Sequence, residues 1–339
     1  MRWASKPVEP AYAEPDPADP DGQAMETTWF AKRPVSDVRP GDHAWLAYSG
    51  AEERDRVIGA FIREGLDNNE KVVYVTDTPA EGLPGMRART SPDLDAFVES
   101  RQLRVIPREQ ACLDAGGRFV PEKMLETLAH EAGQTFGQGF RAVRLTTDHT
   151  WVMNAPGRAD LAEMLGCEHR FGDTVSPSTM AMAICQVARR ACRDDELAAL
   201  RDTHEVLVEI NPEYDDGILK IVRTFDPHGL RVEGELDDVR HAAFADRLGA
   251  LVRSHHRIHL DLSRLGFIDL GGLRLLARHA AARGGDRTLV LDDLAPAVEN
   301  IIEAVGWHRL PGIVPGRRRG RPEHAGGRAR GTRGEGRCR

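Results

Sequence analysis

The run Lys71-Val-Val-Tyr-Val-Thr76 sets β-branched and aromatic residues side by side with no polar alternation. A strand with one face in water alternates apolar and polar residues, so this run reads as a strand buried on both faces, the habit of parallel sheets layered between helices. The pattern around it repeats. Ala44–Tyr48 is a second apolar strand, and in Glu52–Leu66 the residues Val57, Ile58, Phe61, Ile62 and Leu66 mark one helical face. A helix near Pro92–Ser100, strand Leu103–Ile106, helix Pro121–Phe136, strand Ala142–Thr146, helix Arg158–Leu165, strand Met180–Gln186 and helix Asp194–Thr203 continue the series. Successive β-α units predict an α/β fold, a three-layer doubly wound domain.

With 339 residues the chain has room for a second domain. After the turn-rich Asn211–Gly217 the period changes. Leu219–Phe225 and Leu230–Leu236 flank a turn at Asp226-Pro-His-Gly229, and a helix carries Ala243, Phe244, Leu248 and Leu251 on one face. Strand Ile258–Leu262, a helix through Leu275, Leu276 and His279, strand Thr288–Leu291 and helix Ala295–Val305 complete a mixed sheet with helices on one side. The expected organisation is a disordered Pro-rich segment 1–34, a first domain 35–208, a linker 209–218, a second domain 219–312 and a disordered Arg/Gly-rich tail 313–339.

The net charge of −7 is uneven: nine Arg against two Glu from Gly316 to Arg339 give +7, leaving −14 on residues 1–315. An acidic body repels phosphate backbones, and the basic end reads as a solvated tail, so no direct nucleic-acid partner is expected. No apolar stretch reaches the roughly 18–20 residues of a bilayer-spanning helix, and the first residues lack an apolar signal-peptide core, so neither export nor membrane insertion is expected. Five cysteines without a CxxC pair suit free thiols in a cytoplasmic protein.

Ligands of doubly wound sheets sit beyond the carboxyl ends of the strands. The turn Tyr48-Ser-Gly-Ala-Glu-Glu53 lacks the lysine and glycine cradle of a phosphate loop, which disfavours ATP hydrolysis. Tyr48, Asp77, Asp148, His149, Trp151, Cys185 and Gln186 fall at strand ends and would line one crevice. Asp77 and Asp148 offer an acid/base pair, or act as turn and cap residues. His43, His149, His204, Asp148 and Cys185 offer metal ligands, but His43 precedes its strand and His149 follows one, which places them at opposite ends of the sheet. A mostly apolar small-molecule pocket requires least coincidence. That reading implies no catalytic residue, metal or cofactor.

His43 in Gly-Asp-His, the strand to Tyr48, Glu53, Gly65-Leu66, Lys71–Tyr74, Asp148-His-Thr-Trp151, Ile184-Cys-Gln186 and His204 together resemble the MEDS sensory domain over about Val35–Val208. The resemblance implies a RecA-like fold without a phosphate loop and the sensing of small hydrocarbon-like molecules. Where that family usually continues Cys-Gln with an aromatic, this chain has Val187.

Leu230-Arg-Val-Glu-Gly-Glu-Leu-Asp237, Leu260-Asp-Leu-Ser263, Phe267-Ile-Asp-Leu-Gly-Gly-Leu273 and Val298–Gly306 resemble the STAS domain of bacterial anti-sigma factor antagonists over about Leu219–Leu310. That resemblance implies docking to an anti-sigma factor or kinase-fold protein through Asp269, Leu270, Gly271 and Gly272. Gly271 stands where antagonists carry a phosphorylated serine, and it has no hydroxyl to accept the group. Ser263 is the nearest serine and reads as a strand-end hydroxyl. His255, His256 and His259 read as exposed positions opening a strand. The expected molecule is a non-enzymatic signalling regulator of sigma-factor-dependent transcription. The alternatives are a nucleotide-binding or hydrolytic module using the Asp148 crevice, or a STAS scaffold in a multi-protein complex.

Overall fold

The computed structural model describes residues 31–86, 91–154, 161–281, 288–304, 306, 310 and 312–317. The first sheet has seven strands: β1 (Ala31–Pro34), β2 (His43–Tyr48), β3 (Lys71–Val75), β4 (Leu103–Ile106), β5 (Val143–Asp148), β6 (Ala181–Ala188) and β7 (Val206–Glu209). They lie in the order β1-β7-β2-β6-β5-β3-β4, with every pairing parallel. Every residue of β3 and β6 is buried, as the unbroken apolar run requires. The connecting helices are α1 (Ala51–Asp67), α2 (Ser91–Glu99), α3 (Arg108–Ala111), α4 (Pro121–Gly133), α5 (Thr150–Asn154), α6 (Leu161–Thr174) and α7 (Asp194–Arg201). Two separate cores result. One joins Val73, Leu145 and Cys185 to α4 and α6 through Leu128, Met164 and Phe171, and the other joins Val72, Tyr74 and Ile184 to α1 through Ile58, Phe61 and Ile62. The expected three-layer α/β fold is what these two faces produce.

The second sheet comprises β8 (Tyr214–Asp215), β9 (Leu219–Phe225), β10 (His228–Leu236), β11 (Arg257–Ile268), β12 (Thr288–Asp292) and β13 (Ile313–Pro315), in the order β13-β12-β11-β10-β9-β8. Pairings are parallel from β10 to β13 and antiparallel at β8, β9 and β10, giving the expected mixed sheet. Residues alternate buried and part-exposed along β11, so one face is apolar. Phe244 and Leu248 of α8 (His241–Ser254), Leu273 and Leu276 of α9 (Leu270–Ala281) and Ile302 of α10 (Pro296–Ala304) close a single core over it.

Several boundaries differ from the sequence reading. Ala31–Pro34 falls within the expected disordered start but pairs with β7, and Ile313–Pro315 falls within the expected tail but pairs with β12. The expected linker 209–218 contains the last residue of β7 and all of β8. Residues 1–30 and 318–339, with Cys338, lie outside the described residues. The hairpin turn is only Asp226-Pro227, since His228 already pairs with Phe225. Strand β11 runs on through Phe267, and Ser263 lies inside it where the register with β10 shifts, its N–H donating to Asp261. The other four cysteines are free thiols.

Candidate functional site

Among the described residues the seven crevice residues fall into three groups by their side-chain partners. Asp77, Asp148 and Trp151 border an open cleft of about 380 Å³ with Arg108. Both carboxylates there are engaged: Asp77 accepts from the Arg108 N–H at 2.9 Å and its Nε at 2.6 Å, while Asp148 accepts from the Tyr48 hydroxyl at 3.0 Å and the Thr150 N–H at 2.9 Å. Hydrogen bonds from Arg108 hold the Asp77 carboxyl below the usual carboxylate range, and burial, helped by the Asp148 charge, pushes the Tyr48 phenol up. Arg108 lies over the Trp151 ring, 4.9 Å from its centroid. The cleft is thus bordered by apolar as well as charged groups, and its two acids are fixed by neighbours. Gln186, the second place, is fully buried and donates to the Tyr74 and Thr146 hydroxyls at 3.1 and 2.9 Å.

The third place gathers Cys185 and His149 with His43 and His204 around Glu168, a residue the sequence reading did not single out. Glu168 stands on the buried stripe of α6 with Met164, Cys167 and Phe171, and is 1% exposed. Its Oε2 is 3.1 Å from His43 Nε2, 3.4 Å from His204 Nε2 and 3.3 Å from Cys185 Sγ. His43 Nε2 and Cys185 Sγ are 3.3 Å apart. His149 Nε2 lies 2.8 Å from the other oxygen, Oε1, but bonds Thr147 Oγ1 at 2.9 Å, leaving Oε1 without a hydrogen bond. Burial pushes the Glu168 carboxyl up, yet the neighbouring His149 imidazole foremost overcomes this and the carboxyl is held well below the usual range. Burial and the Glu168 charge push the Cys185 thiol up, and burial beside His43 lowers His204.

The expected separation of His43 and His149 is corrected by register. His43 pairs with Ala183 and Asp148 with Gln186 on the same strand β6, three residues apart or about 10 Å. Side chains from both positions reach across that distance to one carboxylate. Asp148 alone of the five expected ligands stays outside, bound to Tyr48. The signal for Glu168 was an acid on an apolar helical stripe.

Where a phosphate loop would sit, Glu53 fills the space: its Oε2 accepts from Ser49 N–H at 2.7 Å and Ser49 Oγ at 2.6 Å. A larger cavity of about 790 Å³ opens between the two sheets, bordered by Trp45, Ala47, Arg189, Arg201, Arg223 and Arg231, and includes none of the seven expected residues.

In the second domain Asp269 caps α9. Its Oδ1 accepts from Gly272 N–H at 2.7 Å and lies 2.7 Å from His241 Nε2. A Cβ on Gly271 would collide with the His241 ring. At this helix entrance Leu270 is 51% exposed and Phe267 47%, and Val239, two residues before His241, is 76% exposed. His241 was not anticipated; it opens α8, far from the loop in sequence. Of the other histidines, His259 pairs with Asp292 at 2.7 Å, and His255 lies against His228 with ring centroids 4.3 Å apart and the rings tilted by 42°.

Residues 42–205 match the family model described as the methanogen/methylotroph DcmR sensory domain, MEDS, and residues 219–315 match the Mlab STAS domain. No curated protein matches. Solved structures similar to parts of the chain include an anti-sigma factor antagonist from Mycobacterium paratuberculosis, 25% identical over 31% of this chain and 84% of that one, TM-score 0.25. The anti-sigma factor antagonist SpoIIAA in its unphosphorylated form is 19% identical over 29% and 87%, TM-score 0.23. The flagellar accessory protein FlaH from Methanocaldococcus jannaschii is 13% identical over 58% and 86%, TM-score 0.38. The chain therefore carries a match to the MEDS sensory domain followed by a match to the Mlab STAS domain.

Proposed function

We propose that this protein is a non-enzymatic regulator whose STAS domain docks an anti-sigma factor or related kinase-fold protein through Asp269–Gly272 and α9, so controlling a sigma factor in the cytoplasm. The observation that carries the reading is the pair of exposed apolar residues Phe267 and Leu270, three positions apart, at a capped helix entrance. Large apolar side chains left in water at a helix start suit a protein partner, whose surface would bury them. At this entrance Gly271 offers no hydroxyl, and His241 occupies the space a serine side chain would take. Docking is accordingly not gated by phosphate at 271, and gating is assigned to the sensory domain. A nucleotide-hydrolysing role finds no support at the first domain's loop, where Glu53 takes the hydrogen bonds a phosphate would use.

The test is capture with the full chain from cells that make it, followed by incubation of the captured partner with ATP and this protein. A kinase-fold partner and no phosphate within residues 269–272 are expected. Phosphate in that loop contradicts the proposal.

A further inference from the structure

We propose that His43, His204, Cys185 and Glu168 form a binding site for a divalent transition metal of the zinc class. The proposal does not rest on the function assigned to the STAS domain.

The first ground is spacing. An ion with tetrahedral bonds of about 2.0–2.3 Å holds its ligand atoms about 3.3–3.7 Å apart. Four separations among these ligand atoms, 3.1, 3.3, 3.3 and 3.4 Å, lie near the short end of that range. All four residues are buried, and their ligand atoms lie within 4.8 Å of one another.

The second ground is an orphaned nitrogen. His204 Nδ1 lies 2.8 Å from the Leu200 carbonyl, which can only accept, so Nδ1 carries the proton. Nε2 of the neutral ring is then a bare lone pair. It is buried without a hydrogen-bond partner and lies 3.4 Å from a carboxylate oxygen. An unprotonated nitrogen and a carboxylate oxygen held this close in a buried place repel unless a cation stands between them. A carbonyl fixing Nδ1–H is also the usual support for an imidazole that ligates through Nε2.

The third ground is the donor set. A thiolate, two imidazoles and a carboxylate suit zinc, cobalt or nickel and disfavour magnesium and calcium. On binding, the Cys185 thiol gives its proton to solvent or to a neighbouring imidazole, and the metal accepts the sulfur lone pair. His149, 2.8 Å from Glu168 Oε1, would steady the carboxylate from the side away from the ion. Four protein ligands close the coordination sphere, which fits a structural or sensing ion rather than a catalytic one. The ion would tie β2, α6 and β6 to the turn preceding β7.

The experiment is titration of the full chain, stripped with chelator, using Co²⁺ and then Zn²⁺. A single cobalt ion with intense visible bands of tetrahedral type and a sulfur-to-cobalt charge-transfer band is expected, with zinc displacing it. Melting temperature should rise on loading and fall on chelation. Cys185→Ser should abolish the charge-transfer band while keeping wild-type circular dichroism; Glu168→Gln should weaken binding at least tenfold. Because the wild-type spectrum needs no variant to fold, it decides alone. Absence of stoichiometric cobalt, a spectrum without the thiolate band, or survival of that band in Cys185→Ser overturns the proposal.

Discussion

His241 Nε2 stands 2.7 Å from Asp269 Oδ1, the same oxygen that accepts the Gly272 N–H. This pair fixes both the cap of α9 and the space above Gly271. A serine at 271 would force the imidazole off Asp269. Gly271→Ser should therefore lower stability by about 1 kcal/mol, the net worth of one hydrogen bond. In a His241→Ala background the same change should cost little, a coupling that a double-mutant cycle by urea denaturation reads directly. Additive costs would contradict this arrangement.

Lys71 enters β3 with a fully buried side chain, its Nζ 2.7 Å from Glu131 Oε2 and 3.0 Å from the Glu131 carbonyl. Removing one partner of a buried pair strands the other. Lys71→Ala is expected to destabilise the first domain by about 3–5 kcal/mol, and Lys71→Met with Glu131→Leu should recover most of that. Denaturant midpoints of the two variants check the order; equal losses would show that the charge pair is not what matters.

Asp216 gives the pH dependence a defined sign. Its carboxylate accepts from the Leu219 and Ile218 N–H groups at 2.8 and 3.0 Å, from Tyr214 at 3.0 Å and from Arg240 at 2.8 Å. These bonds, the Leu219 N–H foremost, lower its pKa to about 2, against about 3.9 when unfolded. A lowered folded pKa contributes stability that is present above the unfolded value and is lost as pH falls from about 4 to about 2. Asp216→Asn should flatten that part of a melting-temperature profile. An unchanged acid limb would refute the role given to this turn.

The sheet interiors were legible because burial on both faces leaves a direct mark, as in Lys71–Val75. Edges were not: Ala31-Lys-Arg-Pro34 carries two charges and a proline, the features that edge strands use and that also read as loop. The histidines and Cys185 were visible singly. Their convergence was hidden, since His43 and Glu168 are 125 residues apart and Glu168 lay beyond the helix end read at Leu165, where Gly166 suggests a stop. His241 escaped for the same reason, as it opens α8 while its partner Asp269 follows β11, 28 residues on. The glycine at 271 was readable as chemistry; the imidazole above it needed the fold.

The most direct test of the account is the affinity of the captured partner for the full chain and for Leu270→Glu, measured by calorimetry. Leu270 is half exposed at the helix entrance, so its replacement should leave folding intact. A loss of about 2 kcal/mol or more, roughly thirtyfold in affinity, is expected of an anchor at the centre of an interface. Equal affinities would place the partner elsewhere and contradict the assignment of this loop as the docking face.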